Sequence, residues 1–175
     1  MLVRHDFRDD TYEEWDMGVA KPSWSADGSE IAFEHLGDGD MVPAQIFVVP
    51  ATGGTPRRLT TNPGGISYAE SDPAFSPDGL RVAFWSFGFG LATARLDDGR
   101  PVTLHKDFPA VSYGAKPSWS HDGTRIAFNI RRGTSRLVAV IDATGGAVRE
   151  LIPDGYDAVW STNGRDVAFV STREP

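Results

Sequence analysis

Residues 22–33 read PSWSADGSEIAF, and the phrase returns as PAFSPDGLRVAF over 73–84, PSWSHDGTRIAF over 117–128 and AVWSTNGRDVAF over 158–169. The aromatic anchors Trp24, Phe75, Trp119 and Trp160 stand 51, 44 and 41 residues apart. Self-similarity at such a period marks a repeat architecture, in which each unit buries its apolar faces only by stacking on its neighbours.

Each phrase reads as a hairpin. Ser25-Ala26-Asp27-Gly28 and its counterparts at Ser76, Ser120 and Ser161 suit a type I turn closed by a left-handed glycine. Ile31-Ala32-Phe33, Val82-Ala83-Phe84, Ile126-Ala127-Phe128 and Val167-Ala168-Phe169 follow, short apolar runs with a small central residue that suit a strand covered on both faces. A third strand is expected over Gln45 to Val49, Leu91 to Leu96 and Arg136 to Ile141. A more polar fourth is expected over Arg57 to Thr60, Val102 to Leu104 and Val148 to Ile152, with Gly-Gly turns at Gly53-Gly54 and Gly145-Gly146. Four antiparallel strands per period define the blades of a β-propeller. The expected fold is all-β, with about four blades, the last incomplete. The repeats run over about 21–60, 72–105, 116–152 and 157–172. Residues 1–6 align with Val102 to Lys106 as a strand of a split or preceding blade, so a partial or truncated propeller is expected. Its open strand edges would favour self-association, or else pairing of the N-terminal strand with the C-terminal blade to close the ring.

Composition narrows the function. With 17 Lys plus Arg against 24 Asp plus Glu, the net charge is -7, which opposes a nucleic-acid binder tracking phosphates. The absence of Cys removes disulfides, thiolate zinc sites and Cys nucleophiles. No apolar run approaches the ~20 residues of a membrane span, so no membrane insertion is expected. Residues 1–10 show no apolar core of a secretory signal, so the chain as written is expected in the cytoplasm, or in the envelope or outside the cell if its parent protein is exported.

The run PxWSPDGxxIAF with its Gly-Gly turn and short outer strand resembles the WD-like β-propeller repeat of TolB-type proteins, from Lys21 to Thr172. The resemblance implies the propeller fold and a choice of roles. Similar repeats build a propeller that binds partner proteins in the bacterial envelope, one that gates prolyl oligopeptidase-like peptidases, and pectin-lyase propellers. Read as written, the chain is expected to lack the extra N-terminal domain and the export signal of TolB, which sets the Tol-pathway role apart from this expectation.

Loops before each inner strand and between second and third strands should share one face. All four Tyr residues fall there: Tyr12 with Glu13, Glu14 and Trp15; Tyr68 with Glu70 and Asp72; Tyr113; and Tyr156 with Asp157. Rings with carboxylates suit a basic peptide, an amine or a sugar, or else the hydroxyls simply cap the core. Equivalent positions before the inner strands read Lys21, Asp72, Lys116 and Asp157. Their alternating signs would pair around the channel mouth or seat a polar ligand. The ligand-binding candidates are therefore Trp15, Lys21, Tyr68, Glu70, Asp72, Tyr113, Lys116, Tyr156 and Asp157.

Other chemistry has little support. His5, His35, His105 and His121 have no ligand spacing, and the Gly37-Asp38-Gly39-Asp40 loop lacks the later EF-hand ligands, so no metal is expected. No GxxxxGK or GxGxxG pattern implies a cofactor. The repeated serines are turn residues outside any GxSxG elbow. The expectation is a non-enzymatic module that binds a protein or a small, possibly basic, ligand. The alternative is the propeller portion of a larger hydrolase or lyase, such as a prolyl oligopeptidase-like peptidase or a pectin-lyase-like enzyme.

Overall fold

The computed structural model describes residues 2–6, 11–15, 19–35, 43–60, 69–87, 90–106, 116–133 and 135–171. Among these residues there is no helix; the chain forms sixteen strands in five antiparallel sheets. The hairpin β1 (Leu2–Asp6) and β2 (Thr11–Trp15) comes first. Blade one is β3 (Val19–Trp24), β4 (Glu30–His35), β5 (Gln45–Pro50) and β6 (Arg57–Arg58). Blade two is β7 (Glu70–Phe75), β8 (Arg81–Ser86), β9 (Gly90–Arg95) and β10 (Pro101–His105). Blade three is β11 (Ser118–Trp119), β12 (Arg125–Arg132), β13 (Ser135–Asp142) and β14 (Arg149–Pro153). A two-stranded sheet, β15 (Gly155–Trp160) and β16 (Val167–Ser171), follows. Each four-stranded blade pairs in chain order, as the repeat pattern predicts.

The turn phrase explains why the pattern repeats. The amide of Gly28 donates to Ser25 O at 3.0 Å, closing a type I turn, and Gly28 sits at φ 72°. Ser25 Oγ donates to Asp27 Oδ1 at 2.7 Å and accepts from the Glu30 amide at 2.9 Å, while the Ser29 amide donates to Asp27 Oδ1 at 3.0 Å. One Ser and one Asp thus satisfy the backbone donors that a two-stranded ladder leaves at its end. Ser76 with Asp78, Ser120 with Asp122 and Ser161 with Asn163 rebuild the same network. The serines are turn residues, as expected.

These hydrogen bonds hold the carboxyls of Asp27 and Asp122 down at about 2, in each case chiefly through the serine hydroxyl. A depressed folded-state pKa contributes stability that is present above the unfolded value and disappears as pH falls through the folded one. Acidification from pH 4 towards pH 2 is therefore expected to lower the urea midpoint. Replacing both residues with Asn, the residue that copy four already uses at Asn163, should flatten that fall; an unchanged slope would refute the assignment.

Blades pack through the centres of their second strands. Ala32, Ala83 and Ala127 are fully buried, whereas Ala168, in the two-stranded sheet, is exposed. Ile46, Val48 and Leu59 of blade one meet Phe75, Val82 and Phe84 of blade two. Trp85, Leu91 and Leu104 of blade two meet Trp119, Ile126 and Phe128 of blade three, and Val138 and Val140 meet Ala158 and Trp160. Polar links recur at the same joints. The Phe75 amide donates to Ser23 Oγ at 3.3 Å and the Trp160 amide to Ser118 Oγ at 3.0 Å. Arg81 lies over the Trp119 ring at 5.0 Å and Arg125 over Trp160 at 4.8 Å, the same cation–π contact made twice. Trp24 departs from this rule at 49% exposure, against 8% for Trp119, because among the described residues no inner strand of another blade covers it.

Candidate ligand site at the inner-strand bulges

The charged positions before the inner strands are held by backbone irregularities. The ladder register shifts between Ala20 and Ser23, between Ser71 and Ala74, and between Tyr156 and Val159. Within each bulge one residue takes a left-handed conformation: Lys21 at φ 54°, Asp72 at φ 57° and Asp157 at φ 53°. Such conformations are costly for residues other than Gly and persist only where the surroundings enforce them. A bulge re-aims a side chain out of the regular alternation, and here it does so at equivalent points of three sheets.

Alternating charge does produce a pair between the first two positions. Lys21 Nζ lies 3.0 Å from Asp72 Oδ2, crossing from blade one to blade two, and 3.7 Å from Glu34 Oε2. Ser71 Oγ also donates to Asp72 Oδ2, at 3.0 Å. One ammonium therefore serves two carboxylates. Burial, its largest influence, pushes the Glu34 carboxyl above its ordinary value, against the pull of Lys21. Sequence reasoning missed Glu34 because its partners lie on two other strands.

Lys116 behaves differently. Its Nζ reaches across from blade three to donate to Pro22 O in blade one at 3.0 Å. Desolvation lowers its ammonium pKa, opposed by the charge of Asp72. Lys116 and Asp157 face a concave cavity of ≈ 560 Å³ at the centre of the arc of blades, with Trp24, Phe75, Pro77 and Trp119 on its walls. That volume lies within the few hundred to a thousand Å³ of small-ligand sites.

The other candidates separate. Glu70 is buried: its carboxylate accepts from Thr60 Oγ1 and from the Ile46 amide at 3.3 Å, tying blade two to blade one, and burial raises its pKa. It faces the joint and not the opening. Tyr156 is partly buried, with the Arg136 guanidinium 6.0 Å from its ring centre. Tyr68 and Tyr113 lie outside the described residues, as does the side chain of Trp15.

Stacked four-stranded blades around a concave centre make this chain a β-propeller of the TolB-like kind. It is similar to a TolB structure from Agrobacterium tumefaciens, with TM-score 0.75 and 20% identity over 98% of this chain and 61% of that one. TolB from Acinetobacter baumannii matches with TM-score 0.68 and 20% identity, over 89% of this chain and 39% of that chain. The β-propeller domain of the Trilobed protease from Pyrococcus furiosus matches with TM-score 0.59 and 12% identity, over 88% of this chain and 50% of that one. No family model matches the chain. Among curated proteins it is similar to the uncharacterized peptidase YuxL of Bacillus subtilis (strain 168), 27% identical over 151 residues. That stretch is 85% of this chain and spans 21% of the relative's length.

This last similarity overturns one sequence expectation. The chain was expected to be a non-enzymatic module, yet 151 of its residues align with a protein named as a peptidase. The repeated phrase could not reveal this, because Ser25, Asp27 and their counterparts are fully occupied in closing turns and carry the fold alone.

Proposed function

We propose that the chain is the propeller of a peptidase-type enzyme and that its concave centre receives short peptides. The observation that carries this reading is the 27% identity with the peptidase relative along 85% of the chain. The cavity chemistry agrees with it. Lys116 offers an ammonium with hydrogens beyond the one given to Pro22, suited to a peptide carboxylate, and Asp157 offers an exposed carboxylate for an amine. Trp24, Phe75 and Trp119 offer apolar walls between them. Because Lys21 neutralises Asp72 and Glu70 is buried, preference for a basic partner rests on Asp157, with the partly buried ring of Tyr156 next to it in sequence.

Fluorescence anisotropy with a panel of short labelled peptides, free or blocked at each terminus, tests the proposal, with amine release followed in the same samples. Free termini should bind better than blocked ones. Lys116→Ala should weaken peptides with a free carboxylate about tenfold, the scale of one charge-assisted hydrogen bond, and leave C-amidated peptides unchanged. A panel that shows neither binding nor amine release, or a Lys116→Ala variant that binds both kinds alike with wild-type affinity, overturns it.

A further inference from the structure

We propose that two copies of this chain join edge to edge, the β15–β16 sheet of one copy and the β1–β2 hairpin of the other completing a blade between them. The sheet β15–β16 supplies an inner strand and a second strand: β15 carries the inner-strand bulge, β16 carries Val167-Ala168-Phe169, and Trp160 packs under Arg125 as Trp119 packs under Arg81. The hairpin β1–β2 is seated as the outer part of a blade. Leu2 is buried against Ile31, Phe33, Val49 and Ala51 of blade one, matching the way Leu104 meets Ile126, Phe128, Ile141 and Ala143 of blade three. The chain therefore carries an inner half-blade at one flank and an outer half-blade at the other, in separate two-stranded sheets.

Four of the seven large apolar side chains exposed among the described residues lie at these two flanks, and the other three, Leu80, Phe87 and Val102, lie on blade two. Of the large apolar side chains exposed among the described residues, Val159 and Val170 lie on β15 and β16, while Val3 and Trp24 lie on β1 and on the adjoining inner strand β3. Strand alternation gives the reason: Leu2 covers blade one, so Val3 is turned to the opposite face of the hairpin, the face on which the other copy's blade three would lie. Trp24 stands where Trp119 stands in blade three. Trp119 is covered by blade two and donates its indole N–H to Ala74 O at 2.9 Å; the residue equivalent to Ala74 in β15 is Val159, which is exposed.

Charge supports a second copy as the occupant. Beside the β15–β16 sheet a groove of ≈ 680 Å³ runs between it and blade three, holding Arg125, Arg149 and Arg165 with Asp142 and Asp166. The groove is net positive, and β2 reads Thr11-Tyr12-Glu13-Glu14-Trp15, net negative. A patch on one flank complementary to a patch on the other is a head-to-tail contact, and it closes when both joints of a pair form. Two copies so joined hold eight four-stranded blades, within the four to eight usual for propellers.

The chain has no Cys, so crosslinking can be placed at will. Sedimentation of the full chain should give about twice the 19.0 kDa monomer mass. Trp24→Cys and Val159→Cys proteins, mixed and treated with a short bis-maleimide, should yield a crosslinked heterodimer that neither protein yields alone, since the equivalent residues Trp119 and Ala74 are in contact. Val170→Lys, at an exposed position, should fold normally and raise the dimer dissociation constant by about tenfold or more, by placing an unpaired charge at the joint. A strictly monomeric chain overturns the proposal. So does a double Cys variant that crosslinks only within one molecule, since that result means the two flanks meet in a single copy.

Discussion

Replacing Trp119 with Ala is expected to lower the unfolding free energy by about 3–5 kcal/mol, the range for removing a large buried aromatic side chain. Three losses coincide at this residue. The indole is buried between blades two and three, its N–H hydrogen bond to Ala74 O disappears, and the guanidinium of Arg81 loses the ring beneath it. The same change at Trp24 removes a half-exposed ring from an uncovered flank and should cost far less. Urea unfolding of the two variants checks this directly. Equal midpoints for both would mean that the equivalent positions do not differ in packing, and the assignment of the joint would fall. Phe128→Ala, which empties the centre of the same cluster, should behave like the Trp119 variant.

The second large effect is expected at the bulges. Lys21→Met leaves Asp72, whose side chain is 3% exposed, without its ion-pair partner, and also leaves Glu34 without one. Removing one member of a fully buried pair costs about 3–5 kcal/mol, and about 2 kcal/mol is the better expectation here because the Lys21 side chain keeps 34% of its surface. Adding Asp72→Asn to Lys21→Met should recover much of that loss, since the charge left uncompensated is then removed. A double-mutant cycle measures the coupling. Additive single effects would show that the contact is not energetically shared. Because Asp72 also raises the pKa of Lys116, the double variant should deepen the depression of that ammonium, read by NMR titration of the lysine.

The repeat phrase was sufficient for the fold because its information is local. Ser25, Asp27 and Gly28 close their own turn with bonds to atoms within a few residues, and Ile31-Ala32-Phe33 alternates across its own strand, so each copy could be read without its neighbours. Residues 11–15, expected in a loop, form the strand β2, whereas the third and fourth strands lie within a residue or two of their expected limits, with β6 keeping Arg57–Arg58 of the expected Arg57 to Thr60. Leu59 and Thr60 there turn to the joint with blade two, Leu59 into the core and Thr60 towards Glu70.

The sequence by itself determined the all-β blade, the repeat and the alternating charges at Lys21, Asp72, Lys116 and Asp157. Only the tertiary structure decided what those charges do. Glu70 and Asp157 look alike as acidic residues beside a Tyr, yet one is sealed into a joint by Thr60 and Ile46 and the other stands at the concave centre. Lys21 and Lys116 occupy equivalent places in the phrase, yet one is shared between two carboxylates and the other spans to a carbonyl of a blade 94 residues away in sequence. The same holds for the anchors, where Trp119 is covered by blade two and Trp24 is half exposed among the described residues. A turn is closed by neighbours in sequence, whereas burial and pairing depend on which blade lies alongside, and the repeat is the same whether a blade has a neighbour or not.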